Sequence, residues 1–105
     1  MQKFRLEGKS AIVTGGSKGI GFGIATALAE AGAGIALVAR NQGDLERAQS
    51  TLRDLSSETV EIYPFDMSIV EDIPALFTQI STEMNGIDIL VNNAGGTRRG
   101  PAELV

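Results

Sequence analysis

The residues best placed to do chemistry lie in one short stretch, Thr14-Gly15-Gly16-Ser17-Lys18-Gly19-Ile20-Gly21. An apolar run, Ser10-Ala11-Ile12-Val13, precedes it, and an apolar-periodic run begins at Ile20. That is the layout of a strand, a tight glycine turn and a helix N-terminus. Unpaired backbone N–H groups and the positive end of a helix dipole meet at such a turn, so its chemistry is anion binding. Glycines let an anion come close to the backbone and permit positive φ. The spacing is Gly-x-x-x-Gly-x-Gly, and Lys18 precedes its glycine, so the stretch is not a P-loop. It reads as a cradle for the pyrophosphate of a dinucleotide.

A second group of residues with chemical meaning ends the next apolar run, Leu37-Val38-Ala39-Arg40-Asn41. A site for NAD places a carboxylate at this strand end to accept the ribose hydroxyls, whereas a site for NADP has an arginine nearby. Ala39 stands in the carboxylate's place, and Arg40 follows it about twenty residues after Gly21. Arg40 can fork onto a phosphate and Lys18 can act as a point charge. The expected cofactor is therefore NADP(H). Asp66 and the loop Asn92-Asn93-Ala94-Gly95 complete the set: a carboxylate can accept from an exocyclic amine, and Ala-Gly lets backbone approach closely.

Bulk properties narrow the function classes. The chain has 105 residues, 43% of them hydrophobic and 21% charged, which fits one globular domain over residues 1–105. A net charge of −4 argues against nucleic acid or an anionic membrane as a general partner. There is no Cys and no His, which removes disulfides, thiolate metal sites and the commonest general base. Met1 to Lys9 form a polar lead-in in which Phe4 and Leu6 are expected to pack, with no apolar core of signal-peptide length. The expected location is cytoplasmic.

The elements that must position these residues alternate. Strands are expected over about 10–14, 35–39, 60–63 and 87–91, and helices over about 20–31, 42–55 and from about 72 to 84. The first helix is expected to turn Ile20, Ile24, Ala27, Leu28 and Ala31 inward, and the second Leu45, Ala48, Leu52 and Leu55. Pro74 fits the first turn of the third helix, and Asn85-Gly86 ends it. Thr97 to Val105 reads as the approach to another helix. Such alternation predicts a Rossmann-type, doubly wound α/β sheet in the order 3-2-1-4, binding its ligand where the order reverses.

The whole chain resembles the short-chain dehydrogenase/reductase family. The likeness rests on Thr14-Gly-Gly-Ser-Lys-Gly-Ile-Gly21, on Asn92-Asn-Ala-Gly95, on Asp66 after the third strand, and on the lead-in Phe4-Arg-Leu-Glu-Gly-Lys9. That lead-in is similar to those of 3-oxoacyl-carrier-protein reductases and gluconate dehydrogenases. The resemblance implies that Gly15, Ser17, Lys18, Ile20 and Gly21 line the cofactor's phosphates and ribose, with Arg40 and Asn41 beside the adenosine phosphate. It implies that Asp66 accepts from the adenine amino group, that Met67 gives a backbone contact, and that Asn93, Ala94 and Gly95 pass under the nicotinamide side. Asn92 would tie neighbouring strands together.

The departure from the family pattern is as informative. Its members carry a catalytic Tyr with a Lys four residues later and an upstream Ser. The single Tyr here is Tyr63, followed four residues on by Met67. The expectation is the cofactor-binding half of a carbonyl/alcohol oxidoreductase, which in full-length form takes a small-molecule substrate and assembles as a homo-oligomer. Two other classes stay open on the sequence: a stand-alone, non-catalytic nucleotide-binding module, and an interaction fragment that pairs through an exposed sheet edge.

Overall fold

Ser10–Thr14 forms β1, and the other strands gather around it. The computed structural model describes residues 5–56 and 58–93. β1 is followed by α1 (Gly19–Glu30), β2 (Gly34–Ala39), α2 (Gln42–Leu55) and β3 (Val60–Pro64). A short 3-10 turn (Val70–Asp72), α3 (Ile73–Glu83) and β4 (Ile89–Asn92) complete the order. The strands make one parallel sheet, β3-β2-β1-β4. This is the order and class that the alternation of elements dictates.

Parallel strands buried on both faces read as continuous apolar runs, and β1 and β2 do. Ala11, Val13, Ile35, Leu37 and Val60 share a core with Ala25 and Ala29 of α1 and Leu45, Ala48 and Leu52 of α2. On the opposite face Ile12, Ala36, Val38 and Tyr63 pack with Leu76, Ile80 and Met84 of α3. Leu6 of the lead-in packs on the first core, as expected; Phe4 lies outside the described residues. Gly32, at φ 101°, ends α1 and returns the chain to β2.

Three expectations need correction. The inner face of α1 is Gly21, Ala25 and Ala29, not the stripe beginning at Ile20, which is 76% exposed. Small residues four apart let the helix lie close against the sheet, and hydrophobicity counting gave their larger neighbours the weight. Ile24, Leu28 and Ala31 are half-buried and Ala27 is exposed. Leu55, at the last position of α2, is likewise exposed. Finally, β4 begins at Ile89 rather than at residue 87. Asn85 and Gly86 both have positive φ and carry the chain out of α3. Ile87 then packs beneath the sheet, and Asp88 exchanges bonds with Ser10 before pairing starts.

The third helix starts as its proline demands. Pro74 is the second residue of α3, where a missing N–H costs nothing. Leu76, Phe77, Ile80 and Met84 pack on the sheet side together, and Ile73 is half-buried.

Candidate functional site

The carboxyl ends of all four strands bear the residues singled out above. The turn after β1 is tied to β2 by the Gly15 N–H, which donates to the Val38 carbonyl at 2.7 Å. Gly15 has φ 65°, a conformation that L-residues with side chains rarely adopt. Gly21 answers a different demand: a Cβ there would sit 2.1 Å from the Gly15 carbonyl oxygen and 2.8 Å from Asn93 Nδ2. The helix therefore folds back onto its own turn, and only a residue without a side chain permits it.

The N-terminus of α1 is bare. Lys18 occupies the N-cap position in extended backbone but gives no side-chain cap, and the first turn holds no acidic residue. Its N–H groups and the helix dipole are left facing the crevice beside β4. Ser17 is half-buried there, and Ile20 stands out into solvent above the turn.

Across the crevice, β1 and β4 are locked at their ends. Thr14 Oγ1 donates to Asn92 Oδ1 at 3.1 Å and accepts from the Asn93 N–H at 2.9 Å. Asn93 Nδ2 donates to the Gly15 carbonyl at 3.4 Å. Asn92 thus does bridge neighbouring strands, and Asn93 joins the second loop to the glycine turn. Ala94 and Gly95 lie outside the described residues.

On the other side, Arg40 is exposed at the end of β2, with Asp66 near it after β3. Ser68 donates to Asp66 Oδ1 through its hydroxyl at 2.7 Å and its N–H at 2.9 Å. These two bonds hold the Asp66 carboxyl below the usual carboxylate range, and the Arg40 charge adds to the effect. Asp66 is thereby kept an acceptor. Met67 packs its side chain on the second core. Asn41 has a task of its own: its Oδ1 accepts from the Asp44 N–H at 2.8 Å and caps α2.

Lys18 is engaged as well. Its Nζ lies 3.3 Å from Asp44 Oδ2, while Arg47 contacts Asp44 Oδ1. Ser17, Lys18, Asp44 and Arg47 line an open recess between α1 and α2. The sequence reading missed Asp44 and Arg47. Their spacing is readable as a helical pair, but nothing local places Asp44 against Lys18.

Tyr63 is no proton donor for this crevice. Its hydroxyl donates to Glu83 Oε1 at 2.6 Å, in the last turn of α3. Burial, then the bond to Glu83, pushes its pKa well above the usual value. It is a strand residue, as its place in β3 implies.

A bare helix N-terminus, a backbone-close glycine turn and an acceptor carboxylate fit a dinucleotide. A parallel sheet of this order, with that turn at its strand reversal, belongs to the dinucleotide-binding class of α/β fold. The chain is a member of the short-chain dehydrogenase family, whose family model matches residues 9–105.

Relatives agree along nearly the whole chain. It is 42% identical over 106 residues to 2-dehydro-3-deoxy-D-gluconate 5-dehydrogenase of Pseudoalteromonas atlantica, covering 97% of this chain and 40% of that protein. An uncharacterized oxidoreductase of Mycobacterium tuberculosis is 39% identical over 101 residues, 94% of this chain and 30% of its own length. The L-sorbose reductase of Gluconobacter frateurii, solved with NADPH and L-sorbose, superposes with a TM-score of 0.83 at 35% identity. That match covers 99% of this chain and 40% of the reductase. The chain thus spans about 30% to 40% of the length of these relatives. Among the described residues, no helix is long and apolar enough to cross a membrane, and no three or more acidic side chains cluster as a metal site would require.

Proposed function

We propose that this chain is the cofactor-binding part of an NADP(H)-dependent oxidoreductase that interconverts carbonyl and alcohol groups. The observation that carries the NADP(H) assignment is the end of β2, where Ala39 replaces a carboxylate and exposed Arg40 follows. A relative that binds NADPH, the sorbose reductase, supports the same reading. In this reading the first-turn N–H groups of α1 and the backbone of Gly15 to Gly21 receive the pyrophosphate. Arg40 and Lys18, with Asn41 beside them, receive the ribose phosphate. Asp66 orients the adenine, Met67 lends its backbone, and Asn93, Ala94 and Gly95 border the nicotinamide side. The bound cofactor supplies a hydride, and this chain's residues bind and orient it.

The proton donor for such a reaction must lie within hydrogen-bond reach of the substrate oxygen. Tyr63 is committed to Glu83. The 105-residue chain is therefore expected to show no turnover of carbonyl compounds with NADPH.

The test of the cofactor assignment is equilibrium titration with NADPH and NADH. Charge-assisted bonds are worth about 1.5–3 kcal/mol, so Arg40→Ala should weaken NADPH about 10- to 150-fold. NADH binding should barely change. Equal weakening of both nucleotides, or tighter NADH binding by the unmodified chain, would overturn the assignment.

A further inference from the structure

We infer that Asp44 is a specificity-setting residue: its carboxylate competes for Lys18, one of the two phosphate-binding cations, and thereby limits the preference for NADP(H) over NAD(H). The inference rests on the cofactor reading above. Its ground is the arrangement of three charges between the starts of α1 and α2. Asp44 Oδ2 lies 3.3 Å from Lys18 Nζ, and Oδ1 is engaged by Arg47. The Asp44 side chain is 15% exposed, whereas those of Lys18 and Arg47 are 71% and 74% exposed. One largely buried carboxylate therefore lies against two cations that reach into solvent.

The consequence is electrostatic. A phosphate oxygen that accepts a bond from Lys18 Nζ lies within about 6 Å of Asp44 Oδ2, given an N–H···O length of about 2.8 Å. A phosphate dianion at that distance meets the Lys18 charge together with the opposing charge of Asp44. The repulsion is screened by water and salt but not abolished, because 6 Å is shorter than the Debye length of about 8 Å at physiological ionic strength. NAD(H) carries no phosphate on this ribose, so the opposition falls on NADP(H). The backbone N–H of Asp44, not its carboxylate, takes the Asn41 cap. Replacing the side-chain charge thus leaves that cap in place.

The experiment measures NADPH and NADH dissociation constants for the 105-residue chain and its variants by fluorescence titration. Asp44→Asn should tighten NADPH about 3- to 10-fold and move NADH by less than about twofold. The gain should shrink as salt rises from about 0.05 to 0.5 M, since the Debye length shortens. Asp44→Glu, which keeps the charge, should leave the NADPH/NADH ratio near that of the unmodified chain. In a Lys18→Met background, Asp44→Asn should give a smaller gain. A merely structural role would move both nucleotides together and leave the ratio alone. An unchanged or lower ratio in Asp44→Asn, with NADPH preference intact in the unmodified chain, overturns this inference and spares the cofactor reading. Tighter NADH binding by the unmodified chain overturns both.

Discussion

The starts of α1 and α2 make an instructive pair. Both helices follow a parallel strand and begin at the same end of the sheet. α2 closes its own N-terminus: Asn41 caps it, and Asp44 brings a carboxylate into the first turn. α1 does neither, with Lys18 at its N-cap and Gly19-Ile20-Gly21 as its first turn. Helix N-termini attract anions in general, yet only one of these two is available. The chain meets the needs of α2 with its own side chains and gives α1 neither a side-chain cap nor an acidic first turn.

That contrast can be broken at α1 most severely through Gly21. A Cβ 2.1 Å from the Gly15 carbonyl must displace backbone. Gly21→Ala is expected to cost about 3 kcal/mol, the upper part of the range for overpacking, read from the urea unfolding midpoint. A gentler change gives α1 the acidic first turn that α2 has. Ile20→Glu puts a carboxylate at an exposed position beside the bare N–H groups. Both nucleotides should bind at least about tenfold more weakly, a loss of about 1.4 kcal/mol. A preserved affinity would mean that the pyrophosphate lies elsewhere.

The reciprocal change at α2 is smaller. Asn41→Ala removes the cap and should cost about 1 kcal/mol in denaturant unfolding. Asn41→Asp keeps a capping oxygen, so its stability should stay within a few tenths of a kcal/mol of the parent. A small effect of opposite sign is the stability of Ile20→Glu without nucleotide: a gain of about 0.3–1 kcal/mol from the helix dipole, seen as a slightly higher urea midpoint. A loss instead would show that Ile20 packs against something in solution.

Much of this was legible in the sequence because it is local. The bounds of β1 and α2, the place of Pro74 and the strand order follow from runs, caps and short connections. The glycine turn was readable as well, because its spacing lies between two unambiguous elements. What escaped depends on contacts between elements. The small-residue face of α1 is set by how closely the helix approaches the sheet, which a hydrophobic stripe does not reveal. The Lys18–Asp44 pair joins residues of two different helix starts. The bridge of Thr14 to Asn93 needs the register of β1 with β4, which places Thr14 opposite Asn92. Asn41 shows the converse: its residue type suited both a cap and a ligand contact, and the structure displays the cap.

The central position of β1 has a consequence for the order of assembly. β1 pairs with β2 through Ser10 and Gly34, one helical crossover away, but meets β4 only when Asp88 returns to Ser10. During synthesis from the N-terminus, β1, β2 and β3 with α1 and α2 are complete before the partner on the other flank exists. Pulse-labelled hydrogen exchange should find β1 and β2 amides protected before those of β4, in line with the slower closure of long loops. The latch from Asn93 to Thr14 and Gly15 is then the last of the described contacts to form, and the crevice takes its shape only after β1, β2 and β3 have theirs.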